Sequence, residues 1–297
     1  MRLPVKILLG LNKLFPPVPH PFNLQNEGKL RYNQWQYQQG ERTIACFAPK
    51  YEKEEMFSGK RILDLGCGAA GKSLYYISCG ASEVVGLDIV PHYKAEAEAF
   101  AEELGYQDRF TFILGSALET GLPDAGFDTI VMNDFMEHIS EPETAAAEAL
   151  RLLRPGGRIY VNFPPYYHPY GAHLSDAIGI PWVHLFFSER TMIEAYKHLI
   201  RGLPDERERL DLRFSKDENG VDHLTYINKM TIRRFRGILK KLGVTPLWYR
   251  EIPLRRILTP LVKLPGVKGP FVRMCVCVIE KPQGSAIGNK GRKTPAP

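Results

Sequence analysis

Residues 61–73 read RILDLGCGAAGKS: a short apolar run with an acid near its end, a glycine-rich bend, and the start of a helix. Gly66 and Gly68 suit a backbone that must turn where a Cβ would collide with a neighbour or a ligand. Working outward, the same alternation recurs. EVVGLD (83–88) precedes the helical PHYKAEAEAFAEELG (91–105); RFTFIL (109–114) and FDTIVMN (127–133) precede EPETAAAEALRLL (141–153); RIYVNF (158–163) follows. Short apolar runs separated by helical stretches predict an α/β fold: a mostly parallel sheet with right-handed crossovers and helices on both faces. Two later apolar runs, 244–252 and 271–279, bring the expected sheet to seven strands.

The alternation fills residues 60–163 and divides the chain. Residues 1–59 are aromatic, proline-bearing and aperiodic until a helix expected over 25–46, and they read as an N-terminal cap. Residues 164–230 break the alternation and read as a substrate-facing insertion. A helix opening at Thr231, a natural N-cap, and closing before Gly243 begins the stretch 231–281, which completes the sheet and carries a basic insertion. The Gly-, Pro- and Lys-rich tail 282–297 predicts disorder.

Charge is distributed unevenly. From Lys229 to Arg273 twelve Lys or Arg face the single acid Glu251, a local +11 in a chain of +6, which leaves −5 elsewhere. No run of about 18 apolar residues could span a bilayer. Five cysteines without CxxC spacing indicate neither a disulfide framework nor a zinc site, so a cytoplasmic setting and no metal are expected. The opening MRLPVKILLGLNKLFPP lacks a small-x-small cleavage pattern and reads as a retained basic, apolar segment.

The glycine bend satisfies three nucleotide-site patterns. GCGAAGKS (66–73) matches a phosphate-cradling P-loop, G-x-G-x-x-G matches a dinucleotide fingerprint, and D-x-G-x-G from Asp64 matches a loop for S-adenosylmethionine (SAM). Asp64 discriminates among them. Its carboxylate would oppose a polyphosphate at the same mouth, whereas a ligand with an ammonium and a sulfonium group would be attracted. Asp88 ends the second strand, where a carboxylate can accept from both ribose hydroxyls.

With ILDLGCG, the acid of VVGLD, FDTIVMN followed by DFMEHI, and the LRPGG turn before RIYV, the chain resembles the class I SAM-dependent methyltransferases over residues 60–163. The resemblance implies a Rossmann-like core with SAM as cofactor. It implies that Asp64, Gly66, Cys67 and Gly68 hold the amino acid end, that Asp88 and Ile89 hold ribose and the adenine edge, and that Asn133 closes the pocket. Two positions depart from the family pattern. Ala70 stands where a third glycine is common, followed by an unexplained Lys72, and ILGSAL offers Ser116 and the Ala117 backbone where an acid often meets adenine.

Methyl transfer is an in-line displacement that needs alignment, and a base only if the nucleophile must lose a proton. The segment after the fifth strand supplies the acceptor-side candidates: His168 and His173 as bases, and Tyr166, Tyr167, Tyr170, Trp182 and His184 as contacts, with His138 as a pocket wall. Each can also be read as a covering side chain of the sheet. The expected reaction is O-methylation of a small amphipathic or aromatic molecule. Alternatives are C-methylation of a quinone-like or lipid acceptor, a P-loop nucleotide hydrolase, and a SAM-binding partner subunit without turnover. NFPPYY sits after the fifth strand rather than the fourth and no nucleic-acid module is present, so no nucleic acid partner is expected. The apolar, basic stretches near Arg255, Arg256 and Lys263 and at the N-terminus predict peripheral contact with anionic membrane.

Overall fold

Among the described residues nine strands form in chain order: β1 (Arg61–Leu65), β2 (Glu83–Asp88), β3 (Phe110–Leu114), β4 (Phe127–Asn133), β5 (Leu153–Phe163), β6 (Phe214–Lys216), β7 (Asp222–Leu224), β8 (Trp248–Pro253) and β9 (Val272–Glu280). This computed structural model describes residues 1–283 other than 27, 29, 265, 267 and 268. Seven strands make one sheet of order β3-β2-β1-β4-β5-β9-β8. β1 to β5 pair in parallel, and β9 runs antiparallel to both β5 and β8. Strand order reverses between β1 and β4, so a crevice opens beyond the carboxyl ends of those two strands, where ligands bind in sheets of this kind.

The strands are apolar almost throughout because both faces are covered. Leu63, Leu65, Ile130, Met132, Ile159 and Val161 belong to one buried cluster. Their neighbours Ile62, Val84, Val131 and Tyr160 belong to the opposite one. The helices Gly71–Ser78, His92–Glu103 and Pro142–Leu152 follow β1, β2 and β4. Helix Ile232–Lys241 buries Ile232, Phe235, Ile238 and Leu239, and the Thr231 hydroxyl accepts from the Arg234 N–H at its start.

Two expectations are corrected. The helix expected over 25–46 is interrupted: Pro21–Asn26, Tyr32–Gln38 and Gly40–Ile44 are separate, and Gly40 admits the Tyr75 ring where a Cβ would stand 2.2 Å from it. The strand expected over 244–252 begins only at Trp248. Residues 164–230, which show no periodicity, contain helices Val183–Phe186, Glu189–Leu199 and Glu206–Arg213 and the β6–β7 hairpin. Glu206–Arg213 (ERERLDLR) is the least legible of these, because it buries arginines rather than leucines, with Arg209 and Arg213 each 1% exposed.

Those arginines hold the insertion to the cap. Asp176 accepts from Arg209 at 2.8 Å, from Arg213 at 2.7 Å and from the Tyr196 hydroxyl at 2.6 Å, and Arg209 also reaches Asn23 at 3.0 Å. Burial by itself would raise the Asp176 carboxyl, but Arg213 and its other partners hold it below the usual carboxylate value. Apolar packing completes the unit: helix Leu3–Asn12 places Val5 and Leu8 against Met192, Ala195 and Tyr196. The tail expected to be disordered lies outside the described residues from 284 onward.

Candidate active site

The crevice at the strand ends is a cavity of about 880 Å³. β1 delivers Asp64, which is 3% exposed and accepts a 2.6 Å hydrogen bond from the Ser73 hydroxyl. Burial pushes its carboxyl up to about 6, against the opposing pull of Ser73 and Lys72. β2 delivers Asp88, whose two oxygens accept from the Gly68 N–H at 2.8 Å and the Val90 N–H at 3.0 Å. Burial raises it as well. Asp88 therefore ties the glycine bend to the second strand and leaves lone pairs toward the cavity.

The bend needs its glycines for close approach as well as for backbone freedom. Gly66 (φ +75°) and Gly68 (φ +57°) lie in the left-handed region; a Cβ on Gly66 would stand 2.5 Å from the Phe135 ring, and one on Gly68 would stand 2.9 Å from Gln36. Ala70 takes up the same hand at φ 60°, at a cost of roughly 1–2 kcal/mol for a residue with a Cβ, so the turn closes without the third glycine. Gln36 clamps the bend from the cap, donating to the Cys67 carbonyl at 3.2 Å and accepting from the Gly71 N–H at 3.1 Å.

All nine residues expected at the cofactor, Asp64, Gly66, Cys67, Gly68, Asp88, Ile89, Ser116, Ala117 and Asn133, line this cavity, together with His138. Ile89 is 71% exposed at its edge. Ser116 accepts from the Leu118 N–H and so shapes its own turn. Asn133 donates to Asp134 and keeps its buried Oδ1 without a partner. Lys72, which the sequence left unexplained, reaches Asp134 at 3.4 Å. It is engaged with a carboxylate rather than offered to a phosphate.

The acceptor-side residues are distributed differently. His168, His173, Tyr166, Tyr167, Tyr170, Trp182 and His184 lie outside the cavity lining. After β5 the Tyr166 N–H donates to the Met230 carbonyl at 2.7 Å, and the chain turns onto itself: Tyr166 packs on Tyr167 and His184, and His168 Nδ1 accepts from the Tyr170 N–H. Burial lowers His168 and His184 to about 4. His173 stacks edge-on against His138 with ring centres 4.8 Å apart, one layer behind the wall. The side chains that do face the cofactor residues come from the cap, Phe22, Tyr32, Trp35 and Gln36, and from the insertion, Glu208 and Tyr226. Sequence reading missed them because no motif marks a residue that reaches a site from a separately folded segment.

Residues 63–161 match a family model described as a methyltransferase domain. Among curated proteins, demethylmenaquinone methyltransferase of Thermus thermophilus is 37% identical over 108 residues, 36% of this chain and 48% of that protein. Tocopherol O-methyltransferase of Arabidopsis thaliana is 29% identical over 115 residues, 39% of this chain and 33% of that protein. Each match thus spans less than half the length of that relative. A solved SAM-dependent methyltransferase from Mesorhizobium loti shares the fold at 15% identity and a TM-score of 0.50, covering 81% of this chain and 97% of that one. Residues 63–161 thus match a methyltransferase domain on a fold shared with SAM-dependent methyltransferases, and such a domain implies SAM as its cofactor.

The residues present fit that cofactor. Asp64 is a buried and Asp88 a half-buried carboxylate beside a glycine bend, and the nearby Lys72 is already paired with Asp134. A cationic amino acid end would supply the charge the pair lacks, whereas a polyphosphate would meet Asp64, Asp88 and Asp134 together.

Proposed function

We propose that this chain is a SAM-dependent methyltransferase that transfers a methyl group to oxygen on a small amphipathic, aromatic molecule. One observation carries the reading: a single cavity joins the Asp64–Asp88 bend to a wall of Phe22, Tyr32, Trp35 and Tyr226. At about 880 Å³ it lies near the upper end of ligand pockets, roughly 300–1,000 Å³, which leaves room for an acceptor beside the cofactor. SAM supplies an electrophilic methyl group on its sulfonium. The protein's contribution is alignment: Asp64 and Asp88 anchor the donor's two ends, Gln36 holds the bend, and the aromatic wall orients the acceptor and excludes water.

Neither histidine considered for proton removal lines the cavity; His138, expected as a pocket wall, does, and its Nδ1 donates to the Tyr226 carbonyl at 2.8 Å. His168 and His173 are not assigned as bases. The two relatives named above are methyltransferases of tocopherol and of demethylmenaquinone by their descriptions, which supports a small-molecule acceptor. The demethylmenaquinone match also favours a second reading, methylation of a quinone-like ring.

The proposal includes contact with anionic membrane, through which such an acceptor would reach the cavity. Helix Leu3–Asn12 exposes Leu3 and Ile7, and Leu11 and Leu14 continue the stripe, with Lys6 and Lys13 nearby. A second exposed group combines Ile257 and Leu264 with Arg255, Arg256 and Lys263. No helix among the described residues is long and apolar enough to cross a membrane. Labelled SAM incubated with a lipid extract tests the reaction: a labelled hydroxyl-derived ether is expected, and label on ring carbon would select the second reading. Co-sedimentation with phosphatidylserine vesicles tests the contact, which charge reversal of Arg255, Arg256 and Lys263 should weaken.

A further inference from the structure

Behind the cavity wall, three ligand-bearing side chains converge without a counter-charge. Glu137 is 2% exposed, and neither of its carboxylate oxygens has a hydrogen-bond partner. A buried carboxyl without a partner is costly as a carboxylate and otherwise holds its proton, and nothing in the methyl-transfer reading uses it. Its Oε1 stands 3.8 Å from His138 Nε2, too long for a hydrogen bond. One ligand atom from each of Glu137, His138 and His173 lies within 4.8 Å of the others.

The tautomer of His138 is decided by its other nitrogen. Nδ1 sits 2.8 Å from the Tyr226 carbonyl, which can only accept, so Nδ1 carries the proton and Nε2 presents its lone pair toward Glu137. A carbonyl on the far ring nitrogen is the arrangement that orients metal-bound imidazoles. The supporting backbone is set independently: the Asn228 side chain donates to the Met136 and Ile139 carbonyls at 2.7 and 2.6 Å, and the Asn228 N–H donates to the Glu137 carbonyl at 2.8 Å. His173 is held in the left-handed region at φ 52°, a conformation that a side chain adopts only when its surroundings require it. Nearby Lys72 is engaged with Asp134.

We infer that Glu137, His138 and His173 form a binding site for a first-row divalent transition-metal ion. Two imidazoles and one carboxylate suit Zn²⁺, Fe²⁺ or Co²⁺ rather than the all-oxygen shells of Mg²⁺ and Ca²⁺. Metal–ligand bonds of about 2.0–2.2 Å place neighbouring donor atoms about 3.4 Å apart, so donor atoms within 4.8 Å of one another have to draw in by about half an ångström for the Glu137–His138 pair and by up to about 1.4 Å for the widest pair. His138 is also part of the cavity wall, which gives an ion a route in and leaves its remaining coordination positions near the acceptor end. Spacing along the chain could not reveal the site, because His173 arrives from the insertion and the Glu137–His138 pair from the end of β4.

The test uses the whole chain, stripped with chelator and titrated with Co²⁺ or Zn²⁺ alone. One equivalent of Co²⁺ should bind and develop visible d–d absorption. Glu137→Gln and His173→Asn, the latter chosen because asparagine tolerates positive φ, should weaken binding by on the order of 100-fold or more. X-ray absorption at the Zn²⁺ edge of the unaltered protein makes the test independent of whether the variants fold: two imidazoles and a carboxylate support the site. Absence of stoichiometric binding, a shell with fewer than two imidazoles, or undiminished affinity in folded variants overturns it.

Discussion

The sheet core and the cap-plus-insertion meet at one cavity, yet they are held together by different physics. In the core, residues such as Leu63, Ile130 and Phe163 are fully buried and both faces of the sheet are apolar. At the junction of cap and insertion the corresponding place is taken by charge: Asp176 between Arg209 and Arg213, with those guanidiniums over the Phe22 ring. An apolar contact tolerates the loss of one partner in proportion to area. A buried ion cluster does not, because removing one member leaves the others uncompensated. The glycine bend with its two acids thus stands on a robust frame, and the wall supplied by cap and insertion on a fragile one.

The largest predicted effect tests that contrast. Asp176→Ala strands two buried guanidiniums and should destabilise the protein by about 3–5 kcal/mol, read as a lowered denaturation midpoint, with a separate early transition if cap and insertion loosen first. Ile130→Val in the core, by comparison, should cost about 0.5–1.5 kcal/mol. A milder effect from Asp176→Ala than from the methyl deletion would reverse the contrast drawn here.

Asp88→Ala is next. It removes the acceptor of the Gly68 and Val90 N–H groups as well as the expected ribose contact, and should weaken SAM binding by about 1–3 kcal/mol in calorimetry. Affinity equal to that of the unaltered protein would place the ribose elsewhere.

A pH series sharpens the electrostatic side. With Asp64 pushed up to about 6 by burial, the carboxylate is lost as pH falls through 6, and SAM affinity should drop by up to about tenfold per unit below that point. Asp64→Asn should flatten the slope. The sign for the ligand-free protein is opposite at this one group: a raised carboxyl contributes stability below its unfolded value that disappears as pH rises through 6. His20, lowered to about 4 by burial ahead of its charged neighbours, works the other way, its contribution being present above pH 6.5 and lost as pH falls toward 4.

The smallest effect is expected at Lys72. Paired with Asp134 at 3.4 Å, it makes a partly exposed contact worth at most about 1 kcal/mol, so Lys72→Ala should change SAM affinity only a few-fold and create no ATP dependence. Loss of nucleotide binding specific to this variant would restore the phosphate reading of the loop.

Residue patterns carried the core because each step there was local. Alternating apolar runs name strands, Gly66 and Gly68 name a bend, and an acid at the end of each of two strands names a cationic donor. Residues 164–230 were opaque for the complementary reason. Glu206–Arg213 lacks an apolar stripe and is folded by partners far along the chain, Asp176 and Asn23, and a charged octapeptide gives no sign of being buried. The histidines after β5 were chosen by nearness to a strand end, but one backbone hydrogen bond, from Tyr166 to Met230, redirects that chain away from the cavity.

The amino acid sequence by itself determined the sheet, the glycine bend and the sign of the charge that meets the ligand, since these follow from side-chain chemistry within a few neighbouring residues. Only the tertiary structure decided which aromatic wall lines the cavity, that Gln36 clamps the loop, and that Glu137 faces two imidazoles. Those juxtapositions depend on where separate segments come to rest, and that is settled by long-range packing and by the pairing of buried charge.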